Sequence, residues 1–426
     1  MAFNNTKYSI RSTFIGLSSF QLLAMFRRGM FYTYLSLYML DFLHLSATET
    51  TLYATLPMII SVIFQNFVWG PLSDKFQRRR SLIILGEVLA GIGTITVWFV
   101  HSIFSNLLLA GYVIIIGLMC IEAFWSMSNI SWSALISDIY PSKERSKIMG
   151  QLTSLGGFGR IIGISIGSIL YNNGYGFRDG PLFFVAALVM FISSIPMIFS
   201  PEGGIRSEKK EEKIVENYDN KPQNYNFKII FIIFIISLTF INFGRNSIAT
   251  FYSPYLYLYS GFGINDILLG NIVNTRSIAV LTIGFLAGTL SKKFGHSRTL
   301  ILGVSLAIFA LLITGLTDNL VLIFVGSFLI GTAEVIIYAA SYVIASNLIP
   351  SKVRAKLFGM YNTTFFLSWG LACTFISGPL IDFLGSEKAT SYQVAFIVGA
   401  LISGIGLIIF LILDFWLKPE SAKNKI

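Results

Sequence analysis

Charge is scarce in this chain. Asp, Glu, Lys and Arg together make up 12% of its 426 residues, about half the ~25% of a soluble domain, which excludes water as the main solvent of the folded protein. Histidine is nearly absent. The three present, His44, His101 and His296, read as loop residues, so a histidine proton relay within a membrane is not expected. The two cysteines, Cys120 and Cys373, fall inside apolar runs, form neither a disulfide nor a metal pattern, and read as packing. No Gly-x-x-x-x-Gly-Lys-(Ser/Thr) loop is present, so ATP does not drive the protein directly. No segment of about ten residues alternates apolar and polar, which excludes a transmembrane β-barrel. No cofactor and no metal site are expected, and nothing pairs a nucleophile with a base as a membrane enzyme would require.

What the chain has instead is apolar length. Hydrophobic residues make up 54% of it, and the mean hydropathy is +0.71. Twelve runs recur, at about 12–40, 50–72, 81–101, 106–137, 147–172, 181–199, 228–259, 267–290, 299–317, 319–348, 356–385 and 392–417. Each is long enough to cross a hydrocarbon core about 30 Å thick. The first is too long for a signal-peptide core and lacks a small-residue cleavage site, so it reads as a retained helix.

The net charge of +10 would suit nucleic acid, but its placement does not. Lys and Arg fill alternate loops: Lys75, Arg78, Arg79 and Arg80, then Lys143, Arg145 and Lys147, then Lys209, Lys210 and Lys213, then Lys292, Lys293 and Arg298, then Lys352, Arg354 and Lys356. The loops between hold essentially Arg178 and Lys388. This is the positive-inside asymmetry, and it places both termini in the cytoplasm. The expectation is an integral protein of the plasma membrane, monomeric, surrounded by lipid and with no nucleic-acid partner. The polar segment 201–227, rich in mixed charge, Gly, Pro and Asn, reads as a cytoplasmic linker. It separates an N-terminal six-helix bundle, 1–200, from a C-terminal one, 228–426.

The two halves echo each other. PSKERSKIMG at 141–150 returns as PSKVRAKLFG at 350–359, and LSDKFQRRRSL at 72–82 returns as LSKKFGHSRTL at 290–300. FRRGMFYTYLSLYM at 26–39 is echoed more faintly by FGRNSIATFYSPYLYLY at 243–259. Parallel six-helix repeats are a known transporter architecture. GPLSDKFQRRR at 70–80 resembles the loop signature of the major facilitator superfamily, Gly-x-Leu-(Ser/Ala)-Asp-Arg-x-Gly-Arg-Arg-(Lys/Arg), and SDIYPSKERSKIMG resembles that family's Asp-x-x-Pro-x-x-x-Arg-Gly stretch. The resemblance covers the whole chain and implies an all-α polytopic membrane protein, with twelve transmembrane helices in two pseudo-symmetric bundles. It also implies a latch of gating residues, Asp74, Arg78, Asp138 and Arg145, in which Asp74 pairs with a base such as Arg145 or caps a helix end. Gln77 stands where the pattern has Gly, which predicts a less tightly turned loop. Lys292 and Asn347 replace both acids in the second half, confining an acid-dependent latch to the first.

Six ionisable residues fall near the middle of their spans, counted at about 1.5 Å per residue: Arg28, Glu122, Arg160, Arg245, Arg276 and Glu334. At the bilayer centre each costs about 2.5–3.5 kcal/mol on insertion scales unless paired or hydrated, so they point to a water-filled cavity or a substrate path. Arg28 shares a helical face with Gln21 and Tyr32, Glu122 with Trp125, Asn129 and Trp132, and Glu334 with Tyr338 and Ser341. Asn242 and Tyr252 flank Arg245. The candidate substrate-binding residues are therefore Arg28, Tyr32, Glu122, Trp125, Asn129, Arg160, Arg245, Arg276, Glu334 and Tyr338, with Glu122 and Glu334 carrying protons. Arg160 shares its face with Gly156, Gly163 and Gly167, a spacing that also serves close helix packing. Arg27, about 100° round the helix from Arg28, is assigned to packing or snorkelling.

Four arginines against two glutamates favour an anionic or zwitterionic small-molecule substrate. A Glu in the fourth span beside an Arg in the fifth is similar to sugar–proton symporters of the superfamily. Arginines in the first and seventh spans with that Glu look like its organic-anion transporters. GRIIGISIGSIL at 159–170 keeps Gly159, Gly163 and Gly167 of the exporters' fifth-helix pattern but has Ile164 in place of its Pro. The reading is secondary active transport by alternating access, proton-coupled, with efflux of a small organic molecule placed ahead of uptake of an organic anion or sugar. A lipid flippase and a transporter-like sensor are the remaining alternatives, and the absence of a soluble output domain argues against the sensor.

Overall fold

The computed structural model describes residues 10–140, 142–203, 227–349 and 354–423, with side chains described over 12–140, 148–203, 228–349 and 357–416. Most of the 201–227 segment and the side chain of Arg145 lie outside these residues. Among the described residues the chain is helical throughout, with no strand. The helices are α1 (Ile10–Leu37), α2 (Ala47–Phe64), α3 (Gly70–Phe76), α4 (Arg79–Ile103), α5 (Leu107–Ile139), α6 (Ser142–Tyr171), α7 (Tyr175–Arg178) and α8 (Pro181–Met197). They continue with α9 (Phe227–Asn246), α10 (Tyr252–Tyr257), α11 (Asp266–Phe294), α12 (His296–Leu316) and α13 (Leu320–Leu348). The last four are α14 (Arg354–Phe366), α15 (Ser368–Ala372), α16 (Gly378–Leu384) and α17 (Ala389–Lys423).

Ten stretches of described helix are long and apolar enough to cross a membrane. The 17-residue α8 is a shorter apolar helix, and the 28-residue α1 is long enough but diluted by Ser18, Ser19, Gln21, Arg27 and Arg28. Together these make the twelve expected spans. Side chains such as Phe67, Phe375 and Phe415 stand more than two-thirds exposed, which lipid tolerates and water would not. Helix starts follow local chemistry. Ser46 and Glu49 form a reciprocal capping box on α2, and Asn106 and Asn319 accept from the first free N–H groups of α5 and α13, satisfying donors that hydrocarbon cannot.

Three spans are less regular than the apolar runs suggest. The second and eleventh each widen into a π turn, at Gln65–Trp69 and Cys373–Ser377, immediately before a Gly-Pro pair. Pro71 and Pro379 have no N–H to give the carbonyl four residues back, which lies within the π turn in each case. The seventh run, expected as one helix over 228–259, breaks at 247–251 between α9 and α10. The break is tolerated because it is enclosed in protein: Ser247, Ile248, Thr250 and Phe251 are buried. Cys373 Sγ donates to the Asn246 carbonyl at 3.2 Å, and Asn246 Nδ2 donates to Ser368 Oγ at 2.8 Å. Cys373 is thus a polar partner as well as filler.

Two readings of histidine are corrected. His101 is not a loop residue; it is buried inside α4, within hydrogen-bond distance of Tyr38 Oη and the Trp98 carbonyl. His296 opens α12.

By contacts the chain groups into two compact units, Met1–Arg206 with Ser253–Leu281, and Ser207–Tyr252 with Thr282–Ile426. In the first, the densest seam joins α1 to α6. Cβ atoms added at Gly159 and Gly163 would collide with the carbonyls of Leu22 and Phe26, and one at Gly29 would lie 2.5 Å from the Arg160 carbonyl. Polar bonds hold Ser253–Leu281 to this unit: Tyr257 Oη to Asn173 Oδ1 at 2.7 Å, Asn173 N to Asp266 Oδ2 at 3.2 Å, and Asn274 Nδ2 to Ser165 Oγ at 2.9 Å. The second unit is centred on Phe234, Leu238, Ile241, Val304, Ile337 and Tyr361, all fully buried.

Candidate functional site

Four ionisable side chains meet inside the first unit. The glycine seam sets α1 close to α6. A second close approach, at Gly86, where a Cβ would lie 2.9 Å from Ser128 N, sets α4 against α5. These two approaches bring Arg27 and Arg28 of α1 to Trp125 and Glu122 of α5, with Glu87 of α4 beside them. The Arg27 and Arg28 guanidinium carbons lie 4.3 Å and 4.5 Å from the centre of the Trp125 ring. Such contacts contribute roughly 0.5–1 kcal/mol when exposed and about 2 when desolvated. Trp125 is itself fixed, because its Nε1 donates to Glu87 Oε1 at 2.7 Å; Ser128 Oγ donates to the same oxygen at 2.9 Å. The Glu122 carboxylate is hydrogen-bonded by Ser61 of α2 and lies within electrostatic reach of Arg28, Arg27 and Glu87. Tyr32, one turn beyond Arg28, feels the same charges, and its ring stacks on Tyr53 at 6.4 Å.

No salt bridge joins any of these four charges among the described residues. Arg27 is 4% and Glu87 1% exposed, and Arg27 Nη2 is buried with no hydrogen-bond partner. Arg28 is only partly covered. Glu87 was missed from sequence because it lies close to the basic-loop end of its span, and Arg27 was assigned to packing. The signal that exposes both is Trp125, whose ring attracts cations and whose buried N–H needs an acceptor.

The other expected site residues are distributed more widely. Asn129 lies one turn further along α5 and is partly exposed. Trp132 packs against a core of Leu17, Phe20, Ile83 and Leu135. Arg160 is half-buried on α6 beside Gly29, so its glycine-lined face does serve packing. Arg276 lies half-buried on α11. In the second unit Arg245 is buried, and its Nη2 donates to Asn242 Oδ1 at 3.2 Å. Asn242 Nδ2 in turn donates to Thr364 Oγ1 at 3.4 Å. Glu334 is half-buried on α13, while Tyr338 is 51% exposed and its ring meets Phe365 edge-on.

At the basic-loop end the expected Asp74–Arg145 pairing lies outside the described residues, and the described ones place another base on the acids. Arg79, not Arg78, joins the two acids. Its Nη2 donates to Asp74 Oδ1 at 2.8 Å, its Nε to Asp138 Oδ2 at 3.3 Å and its Nη1 to Ser73 Oγ at 2.5 Å. Arg78 is exposed and caps the start of α4 through its backbone only. Ser73, Asp74 and Arg79 border a cavity of about 310 Å³, lined also by Gly70, Ile130, Ser133, Ala134 and Ser137. The expected looser turn is not found: Gln77 takes the left-handed conformation, φ 53°, that the pattern's Gly would take. That costs a non-glycine residue roughly 1–2 kcal/mol, offset here by bonds from Gln77 N to the Ser73 carbonyl and from Gln77 Nε2 to the Asp74 carbonyl. At this end the start of α4 is capped by Glu202. It accepts from Ser81 N at 3.0 Å and pairs with Arg80 at 3.0 Å. In the second repeat, Ser291 Oγ and His296 Nδ1 form a 2.6 Å hydrogen bond next to Lys292.

The model of the Major Facilitator Superfamily matches residues 17–236 and 234–426. The chain is similar to Multidrug resistance protein 2 of Bacillus subtilis, 25% identical over 384 residues that cover 86% of each protein. It is also 25% identical to the class H tetracycline resistance protein of Pasteurella multocida, over 60% of this chain and 59% of that protein. The crystal structure of the nucleoside transporter NupG superposes with a TM-score of 0.71 at 14% identity, covering 94% of this chain and 99% of that one, a likeness of fold alone.

Proposed function

Because this chain is a member of the major facilitator superfamily and an integral membrane transporter, we propose that it exports small organic molecules by alternating access in exchange for protons. Efflux is favoured by relatives whose names record drug and tetracycline resistance. Proton exchange is favoured by Glu122, a buried carboxylate with a hydroxyl partner and, among the described residues, no salt bridge. Such a group can gain or lose a proton without breaking an ion pair, and Glu334, on α13 of the second repeat, is the second proton carrier proposed. The substrate-binding residues proposed are Arg28, Tyr32, Glu122, Trp125, Asn129, Arg160, Arg245, Arg276, Glu334 and Tyr338. Asp74, Arg79 and Asp138 set the gate. The chain works as a monomer in the plasma membrane with both termini in the cytoplasm.

Tetracycline accumulation in cells expressing the chain tests this reading. Expression should lower accumulation relative to empty vector, a protonophore should restore it, and Glu122→Gln should behave as vector. If expression instead raises the uptake of an organic anion or a sugar under a proton gradient, the direction proposed here is wrong.

A further inference from the structure

We propose that the substrate is a zwitterion, its anionic end taken by Arg28 and its ammonium end by Glu122. This rests on the exporter reading and supplies what that reading leaves open, the charge of the cargo.

The four interior charges fall into two kinds. Arg27 and Glu87 are the more deeply enclosed, and both are committed to Trp125, one over its ring and one at its Nε1. They form a charge-balanced pair around Trp125. Arg28 and Glu122 remain. The Arg28 guanidinium carbon lies 4.5 Å from the centre of the Trp125 ring, and among the described residues no ion pair engages its N–H donors. Glu122 is bonded by Ser61, whose Oγ in turn accepts from Gln65 Nε2 at 2.8 Å. Arg28 and Glu122 are near enough to feel each other and too far apart to pair. An opposite-charge pair that does not close on itself inside a membrane fits a ligand with both charges.

Ligands with one charge fit worse. A lipophilic cation would seek the Trp125 ring, and two guanidiniums already occupy it. A simple anion would satisfy Arg28 but add negative charge beside Glu122 and Glu87. A zwitterion adds no net charge and meets a partner at each end. The arrangement also sets the sign of coupling. The charged and titratable groups facing Glu122 are Arg27, Arg28 and Tyr32 of α1 and Glu87 of α4, with the Ser61 hydroxyl from α2. A proton on Glu122 removes the negative charge that holds the ammonium end, so proton and cargo compete at that carboxylate. Such competition is what exchange requires.

The test uses the purified full-length chain in detergent at neutral pH. The ligands are the para-substituted aminomethyl-, aminoethyl- and aminopropylbenzoic acids, each with its carboxamide, a cation, and its N-acetyl derivative, an anion. At least one zwitterion should bind about tenfold or more tightly than both of its analogues, a difference of about 1.4 kcal/mol. Glu122→Gln should erase the advantage over the N-acetyl compound, and Arg28→Gln the advantage over the carboxamide. If Arg28→Gln does not fold, Arg28→Lys, which keeps the charge but loses the planar fork, should narrow the same advantage. Equal binding by an analogue, or no binding by any zwitterion at millimolar concentration, overturns the proposal. Export is scored separately in cells: a bound zwitterion that is not exported sinks the direction, whereas tetracycline export with a preference for carboxamides sinks only the zwitterion.

Discussion

Arg79 shows how much can turn on the direction of one side chain. Its neighbours Arg78 and Arg80 carry the same charge, yet only Arg79 places its donors on Asp74, Asp138 and Ser73 at once. The Asp74 side chain is 74% exposed and Asp138 15%, so the Asp138 bond is the one water cannot replace. Arg79→Ala removes one charge-assisted bond from that carboxylate and should lower stability by about 1–3 kcal/mol, while Arg78→Ala should leave it unchanged. Thermal unfolding of the two variants in detergent decides this, and equal melting temperatures would remove Arg79 from the latch. Sequence could place four basic residues in the loop but could not choose among them. The choice depends on where the first turn of α4 begins and which face it turns to α5. Glu87 was hidden for a related reason, since depth along a span says nothing about a tryptophan N–H arriving from another helix.

Among the elements, the α1–α6 seam carries the strongest constraint. Gly159 and Gly163 face backbone carbonyls of Leu22 and Phe26, and a carbonyl cannot rotate away as a side-chain tip can. Gly163→Ala should therefore push α1 off α6 and cost roughly 1–3 kcal/mol, in the range of overpacked cores. It should also weaken substrate binding, because α1 carries Arg27 and Arg28. Gly404, in α17, has nothing within 4 Å of an added Cβ, so Gly404→Ala should be neutral or gain up to about 1 kcal/mol in helix propensity. Parallel melts and ligand titrations of the two variants give the answer, and the expectation fails if Gly163→Ala matches wild type in both. The twelve spans were legible because apolar length is a local property of the chain. The glycine spacing was legible as packing, although not which helix it packs on. The π turns have a local cause in Pro71 and Pro379. The break at 247–251 does not: it is held by Cys373 and Ser368, more than a hundred residues away.

For the whole molecule, the informative feature is that the two repeats end their matching loops differently. The first closes with ions, Asp74 and Asp138 on Arg79. The second has Lys292, Ser297 and Asn347 at the corresponding places and closes with a Ser291–His296 hydrogen bond. A charge-assisted bond is shorter and roughly twice as strong as a neutral one, so the two loops do not hold their helices with equal force. If the ionic loop sets which conformation is favoured, Asp74→Asn should shift that equilibrium and slow transport by about tenfold, equivalent to about 1.4 kcal/mol. Equilibrium binding should stay within a few-fold of wild type, because Asp74 lies at the basic-loop end of α3 and away from Trp125. Lys292→Ala, which removes no ion pair seen among the described residues, should transport nearly as wild type. The exposed Asp74 contact is screened by salt, so raising ionic strength on the loop side should slow the wild type toward the Asp74→Asn rate and leave that variant almost unaffected. Tetracycline flux in proteoliposomes across a salt series, with binding measured in parallel, separates these outcomes. Wild-type flux in Asp74→Asn at every salt concentration would mean that the ionic loop holds structure and sets no conformational preference.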